Sequence, residues 1–180
     1  YLLLIIAVLV CYFFGQFVSI YFRPVAMLAL LALFLFGRRQ AIILNFVFSL
    51  LMFVIDTFTN NFDSSPNSVY ISLMLTFACG TFAVFMAANV KTRWELMLTG
   101  FFLGIPGLSI VLLLELSELD FTGFDWIPYV ASAGYGILGC VLSAMLALCI
   151  LPVFEMAFNR LTVFRLRELT SANAPLLQRL

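Results

Sequence analysis

The chain has no histidine and little charge, with Asp, Glu, Lys and Arg making up only 10% of its 180 residues. Without imidazole there is no Ser-His-Asp triad, no histidine general base and no His-ligated metal. Cysteine is also scarce. Cys11, Cys79, Cys140 and Cys149 all fall inside apolar runs and no Cys-x-x-Cys occurs, which excludes a disulfide framework and a zinc ribbon. The four read as buried, inert thiols. A phosphate-cradling Gly-rich loop and a dinucleotide fingerprint are likewise missing. Nothing in these residues forms a catalytic core, and the sequence by itself assigns no catalytic residue and no metal ligand.

What is present is apolar surface. Hydrophobic residues make up 64% of the chain, mean hydropathy is +1.16 and phenylalanine alone occurs 21 times. A soluble domain carries roughly 25% charged residues, and one this small has too much surface to hide so many apolar side chains from water. A lipid bilayer is the solvent that removes the conflict. The sequence therefore predicts an all-α, polytopic transmembrane helical bundle. Polar punctuation separates six apolar segments, at about residues 2–20, 25–36, 41–55, 69–90, 96–114 and 127–158. At about 1.5 Å per residue, some 20 residues cross a hydrocarbon core of about 30 Å. The segment 25–36 is short for that. Pro24 suits its first helical turn and Gly37 its end, with Arg38 and Arg39 snorkelling toward headgroups; a re-entrant hairpin is the competing reading. The last segment is longer than a bilayer needs, so its end is expected to project. Tyr1 opens within an apolar run with no charged region ahead of it, as expected of a segment inside a longer polypeptide.

The net charge of zero conceals a segregation. Arg38, Arg39, Lys91, Arg93, Arg160, Arg165, Arg167 and Arg179 fall in one set of connections and the tail, and only Arg23 falls in the other set. Asp56, Asp63, Glu115, Glu118, Asp120 and Asp125 occupy that other set. By the positive-inside rule both termini are cytoplasmic, which agrees with an even number of spans. Trp126, Tyr70 and Tyr129 are placed for the membrane interface.

Few polar residues fall inside the spans. Glu115 and Glu118 share a helix face by spacing and, with Asp120, could bind a cation or relay protons, but their place at a span's edge reads as an exposed outer helix end. Asp56 reads the same way. Asn45 and Gln16 lie within spans and read as hydrogen bonds between helices. Small residues carry a clearer pattern. Gly100 and Gly104 have GxxxG spacing and are followed by Pro106 and Gly107, which predicts close helix approach and a kink. Ser132, Gly136, Gly139, Ser143 and Ala147 recur along one side of the last segment and predict that it packs deep in the bundle. No internal repeat of the transporter kind is visible.

Beyond Pro152 the character changes. Phe158, Leu161 and Phe164 keep helical spacing, the stretch "TSAN" breaks it, and Asn173 with Pro175 suits the start of a new helix. Residues 159–180 therefore read as a cytoplasmic connector. This tail, with Leu151-Pro152, Phe154-Glu155, "FRLRELT" containing Arg165 and Arg167, Asn173, Pro175-Leu176-Leu177 and Arg179-Leu180, resembles the junction in the seven-transmembrane HD hydrolase family, the PgpH type of cyclic di-AMP phosphodiesterase. The family's Asn-His-Pro-Leu-Leu pattern carries Ala174 here in place of the histidine. "RPVAMLALL" and "VKTRWELMLTG" also look like family segments.

The resemblance implies a multi-pass protein of the bacterial inner (plasma) membrane with an extracellular domain before the spans and an HD domain after them. It also implies two divalent metal ions (Mn or Fe) in that HD domain, cyclic di-AMP as its substrate, and an anchoring and regulatory role for the bundle. A second copy of the chain, as a homodimer, is a further partner to consider. The alternative is a transporter or permease subunit, which requires polar groups facing a mid-membrane cavity and broken helices in matching positions.

Overall fold

The computed structural model describes residues 1–59, 66–90, 92–116 and 126–158. Among them there is no strand, and the fold is all-α. The elements are α1 (Leu2–Phe17), a 3-10 turn at Ile20–Phe22 called the elbow below, α2 (Met27–Phe36), α3 (Arg38–Thr59), α4 (Pro66–Ala87), α5 (Arg93–Leu116) and α6 (Trp126–Phe158). Among the described residues, three helices are long and apolar enough to cross a membrane: Arg38–Thr59, Arg93–Leu113 and Val130–Phe154. The shorter apolar stretches are Leu2–Phe17, Ile20–Phe36 and Ser72–Ala87.

Local chemistry sets several of the boundaries. Gly37 has φ of 96°, a conformation glycine adopts without steric cost. Its N–H donates to Leu33 O at 3.0 Å and its carbonyl accepts from Ala41 N at 3.1 Å, so one residue closes α2 and opens α3. At the start of α5, Thr92 and Glu95 form a capping box. Glu95 N donates to Thr92 Oγ1 and Thr92 N to Glu95 Oε2, each at 3.2 Å, which satisfies two of the first turn's free amides. Pro24 does not lie in the first turn of α2. The helix starts three residues later, and Met27 N donates to Pro24 O at 3.2 Å in the turn ahead of it.

Helix α2 is the hub. From Met27 to Leu33 every side chain is buried, as is Leu35, and the helix is packed against α1, α3, α4 and α6. Its ten residues span about 15 Å, half a hydrocarbon core. So short a helix is tolerated at membrane depth where protein rather than lipid surrounds its ends. The outer helices turn apolar faces outward. On α1 the exposed large hydrophobic residues are Leu2, Ile5, Leu9, Phe13 and Phe17, a stripe with the spacing of one helix side.

Helices α5 and α6 pack antiparallel through small residues. A Cβ at Gly100 would lie 2.6 Å from Ala144 Cβ, one at Gly104 3.1 Å from Ile137 Cγ2, and one at Gly107 3.1 Å from Cys140 Sγ. Gly136 faces Val111 Cγ2 at 3.4 Å in the same sense. Ser143 is fully buried and returns its hydroxyl to Gly139 O at 2.7 Å, so the stripe carries no unpaired hydroxyl there. Pro106 lies inside the continuous α5 and Pro152 inside α6. Cys149 is the exception among the thiols: it is exposed, because its position on α6 turns away from the packed side, whereas Cys11, Cys79 and Cys140 are buried.

Substituting Gly100→Ile forces branched bulk against Ala144 and is expected to destabilise the bundle by about 1–3 kcal/mol through overpacking. Gly134→Ala meets nothing within 4 Å and is expected to be close to neutral. Thermal unfolding of both variants in detergent, monitored by far-UV circular dichroism, checks the contrast.

Candidate functional site, a buried ion pair at the elbow

The chain between α1 and α2 is built to place one cation inside the bundle. Ser19 is extended (φ −167°, ψ 162°) and its Oγ accepts from Phe22 N at 3.3 Å, which caps the elbow. Arg23 then takes φ −62° and ψ 135°, the extended conformation favoured for a residue ahead of proline. Val25 N donates to Arg23 O at 2.8 Å, turning the chain sharply around Pro24 and into α2. Cys11 Sγ on α1 donates to Pro24 O at 3.4 Å, and the ring of Phe22 lies 6.0 Å from Phe14 on α1 and 6.3 Å from Tyr135 on α6, edge-on to the latter.

From this backbone Arg23 reaches α3 and α4. Its Nη1 lies 2.6 Å from Asp56 Oδ2 and 3.1 Å from Ser72 Oγ, and Ser72 Oγ donates to the same Asp56 oxygen at 2.6 Å. All three are buried, with Arg23 and Asp56 each 3% exposed. Gly15 on α1 makes the room: a Cβ there would collide with the guanidinium of Arg23. Arg23 Nε is buried with no hydrogen-bond partner among the described residues, so the cation is held by two partners and left unsatisfied on its α1 side.

A second polar group lies on the same buried face of α3, which comprises Ala41, Asn45, Phe48, Ser49, Met52 and Asp56. Asn45 Nδ2 donates to Phe77 O on α4 at 3.2 Å, and Gly80 admits its amide where any Cβ would clash. Among the described residues its Oδ1 is the other buried side-chain polar atom without a hydrogen-bond partner. Thr76 closes on itself, donating to Ser72 O at 2.7 Å. Polar groups thus follow the α3–α4 seam from Asp56 to Asn45.

Three expectations are corrected here. Asp56 is not an exposed helix end, because an opposite charge inside the bundle draws it in. Arg23 does not sit in a solvent-facing loop, since the turn at Pro24 directs it inward. Gln16 is exposed rather than set between helices. The signal for the ion pair was present as one basic and one acidic residue, each flanked by apolar runs, since ionisable groups within such segments are usually paired and functional. The side chain of Glu115 lies outside the described residues, as do Glu118, Asp120 and the connector residues Arg165, Arg167, Asn173 and Pro175. Among the described residues no three His, Cys, Asp or Glu side chains come together to hold a metal ion, and the Asp56 carboxylate is already engaged by a guanidinium and a neutral hydroxyl.

Comparison with known proteins places this geometry in a family context. The sequence model of the family described as "7TM receptor with intracellular HD hydrolase" matches residues 1–162. Cyclic-di-AMP phosphodiesterase PgpH of Listeria monocytogenes is 31% identical over 124 residues, covering 69% of this chain and 16% of that protein. An uncharacterized protein of Synechocystis sp. is 34% identical over 116 residues, covering 62% of this chain and 14% of its own. The chain thus spans about one sixth of the length of the curated relatives it matches. No solved structure matches. Neither relative is described as a transporter or permease.

Breaking a buried pair leaves an uncompensated charge, whereas replacing both members by apolar groups removes the desolvation cost as well. Asp56→Ala is therefore expected to destabilise the bundle by about 3–5 kcal/mol, and the double variant Arg23→Met/Asp56→Leu by clearly less. A double-mutant cycle on thermal unfolding in detergent measures the difference.

Proposed function

Because the chain belongs to the family of seven-transmembrane receptors with an intracellular HD hydrolase, we propose that it is the membrane-spanning, receptor-like portion of a bacterial cyclic di-AMP phosphodiesterase. The observation that carries this is the match over residues 1–162, joined by a relative named for that activity. The bundle crosses the bacterial cell membrane six times with both ends in the cytoplasm, the second crossing being the stretch Ile20–Phe36 formed by the elbow and α2 together. Supporting this are the basic residues Arg38, Arg39 and Arg93 at one end of the helices and the acidic Asp56 toward the other.

The role is anchoring and regulation. Residues 159–180, with Arg165, Arg167, Asn173 and Pro175, connect the bundle to an HD domain whose two divalent metal ions (Mn or Fe), when bound, would supply an activated water and stabilise the leaving oxygen of a phosphodiester. This chain's own residues take no part in that chemistry. They set the position of α6, whose 33 residues run to the connector. A covalent extension of one packed helix is a physical route by which rearrangement in the bundle reaches a domain outside it.

The full-length protein is expected to hydrolyse cyclic di-AMP to the linear dinucleotide in the presence of manganese, measured by chromatography of the products. Absence of turnover in folded, metal-loaded protein would remove the phosphodiesterase assignment. A flexible Gly-Gly-Ser-Gly insertion after Phe164 is expected to change that turnover while leaving the thermal unfolding of the bundle unaltered. Identical turnover with and without the insertion would reduce the bundle to an anchor.

A further inference from the structure

The elbow is held from three sides. Arg23, the residue that closes it, binds α3 and α4 with its side chain through Asp56 and Ser72. The Pro24 carbonyl that follows it accepts from Cys11 on α1. Its backbone lies directly on α6: a Cβ at Gly139 would be 2.9 Å from Tyr21 O, 3.0 Å from Arg23 O and 3.2 Å from Phe22 C. The last contact has no side chain in it. Where two backbones touch across a glycine there is no rotamer to take up a displacement, and close-packed interiors transmit strain instead of absorbing it.

We propose that the elbow is a mechanical coupler, in which making or breaking the Arg23–Asp56–Ser72 contacts displaces Tyr21–Arg23 against Gly139 and thereby shifts α6. Three observations carry it. The same residue supplies both ends of the link, with the Arg23 side chain on Asp56 and the Arg23 carbonyl on Gly139. The guanidinium is incompletely satisfied, its Nε lying against Gly15 without a partner, and a partly satisfied buried polar group narrows the gap between one arrangement and another. From Gly139 onward α6 is unbroken to Phe158, about 28 Å of helix, so a displacement at the elbow arrives at the end that leads to the connector. Phe22 packed edge-on to Tyr135 keeps the elbow seated on the same stretch of α6. The ion pair would then set which position of α6 is populated. The consequence for hydrolysis rests on the phosphodiesterase assignment above; the movement itself does not.

The test uses the full-length protein in lipid nanodiscs, with the exposed Cys149→Ala and nitroxide labels on cysteines at Met86 on α4 and Met156 on α6, both exposed near the ends of their helices. Label-to-label distances are compared among the otherwise unmodified protein, Arg23→Gln, Asp56→Asn and Gly139→Ala. Coupling predicts that each substitution moves the mean distance by about 1–2 Å, the size of an interface helix shift, and changes turnover of cyclic di-AMP by about fivefold or more. Superimposable distances in all variants would overturn the coupler, and a shift with unchanged turnover in an active protein would overturn its consequence for hydrolysis. Should Arg23→Gln or Asp56→Asn fail to fold, Gly139→Ala decides alone, since it presses on the elbow with the ion pair intact. If the unmodified protein hydrolyses no cyclic di-AMP, the functional assignment falls, and the distances still decide whether the elbow moves α6.

Discussion

An arginine inside an apolar bundle must be held by something, and much of the architecture around α2 follows from that requirement. A charged side chain at the centre of a membrane helix costs roughly 2.5–3.5 kcal/mol even by the mildest insertion scale. Arg23 escapes the isolated case because Asp56 and Ser72 converge on one of its nitrogens. To make that convergence the chain breaks after α1, caps a single 3-10 turn with Ser19, and reverses at Pro24. The resulting α2 is only ten residues long, and its shortness is acceptable because its neighbours enclose it almost entirely.

Glycine performs the complementary task. Gly15 leaves space for the guanidinium, Gly80 for the amide of Asn45, and Gly139 for the elbow's backbone. In a lipid environment there is no hydrophobic gain in bringing helices together, so close van der Waals approach and hydrogen bonds between helices must do it. Both are concentrated on the faces where a side chain is missing. Two of the buried polar side chains therefore lie against glycines, which links packing to charge placement: enlarging Gly15 would press on the guanidinium of the ion pair.

In the coupler we propose, the arrangement meets both requirements of a signal path. Helices α3 and α4 carry the carboxylate and the hydroxyl, α6 leads toward the connector, and the elbow is the element that touches both. A signal passing from one to the other needs physical contact and a contact that can take two forms. Backbone packing at Gly139 supplies the first and an incompletely bonded guanidinium the second.

How much of this the sequence disclosed can be read residue by residue. Composition alone determined a membrane class, because no aqueous fold of this size can bury so much apolar surface, and apolar runs longer than a strand determined that it is helical. The tail motifs suggested the family, whereas the family match itself falls on residues 1–162, the helices and only the start of that tail. Gly37 ended a helix as its position foretold, because a left-handed residue there needs no tertiary partner. Arg23 and Asp56 were legible as single charges at the edges of apolar runs but not as a pair. They are separated by 33 positions, and which outward-looking charge turns inward depends on where α3 and α4 pack against the elbow. Gln16, Cys149 and the burial of α2 belong to the same class. Composition fixes how many side chains must be hidden from water, whereas only the packing of one helix against another decides which ones.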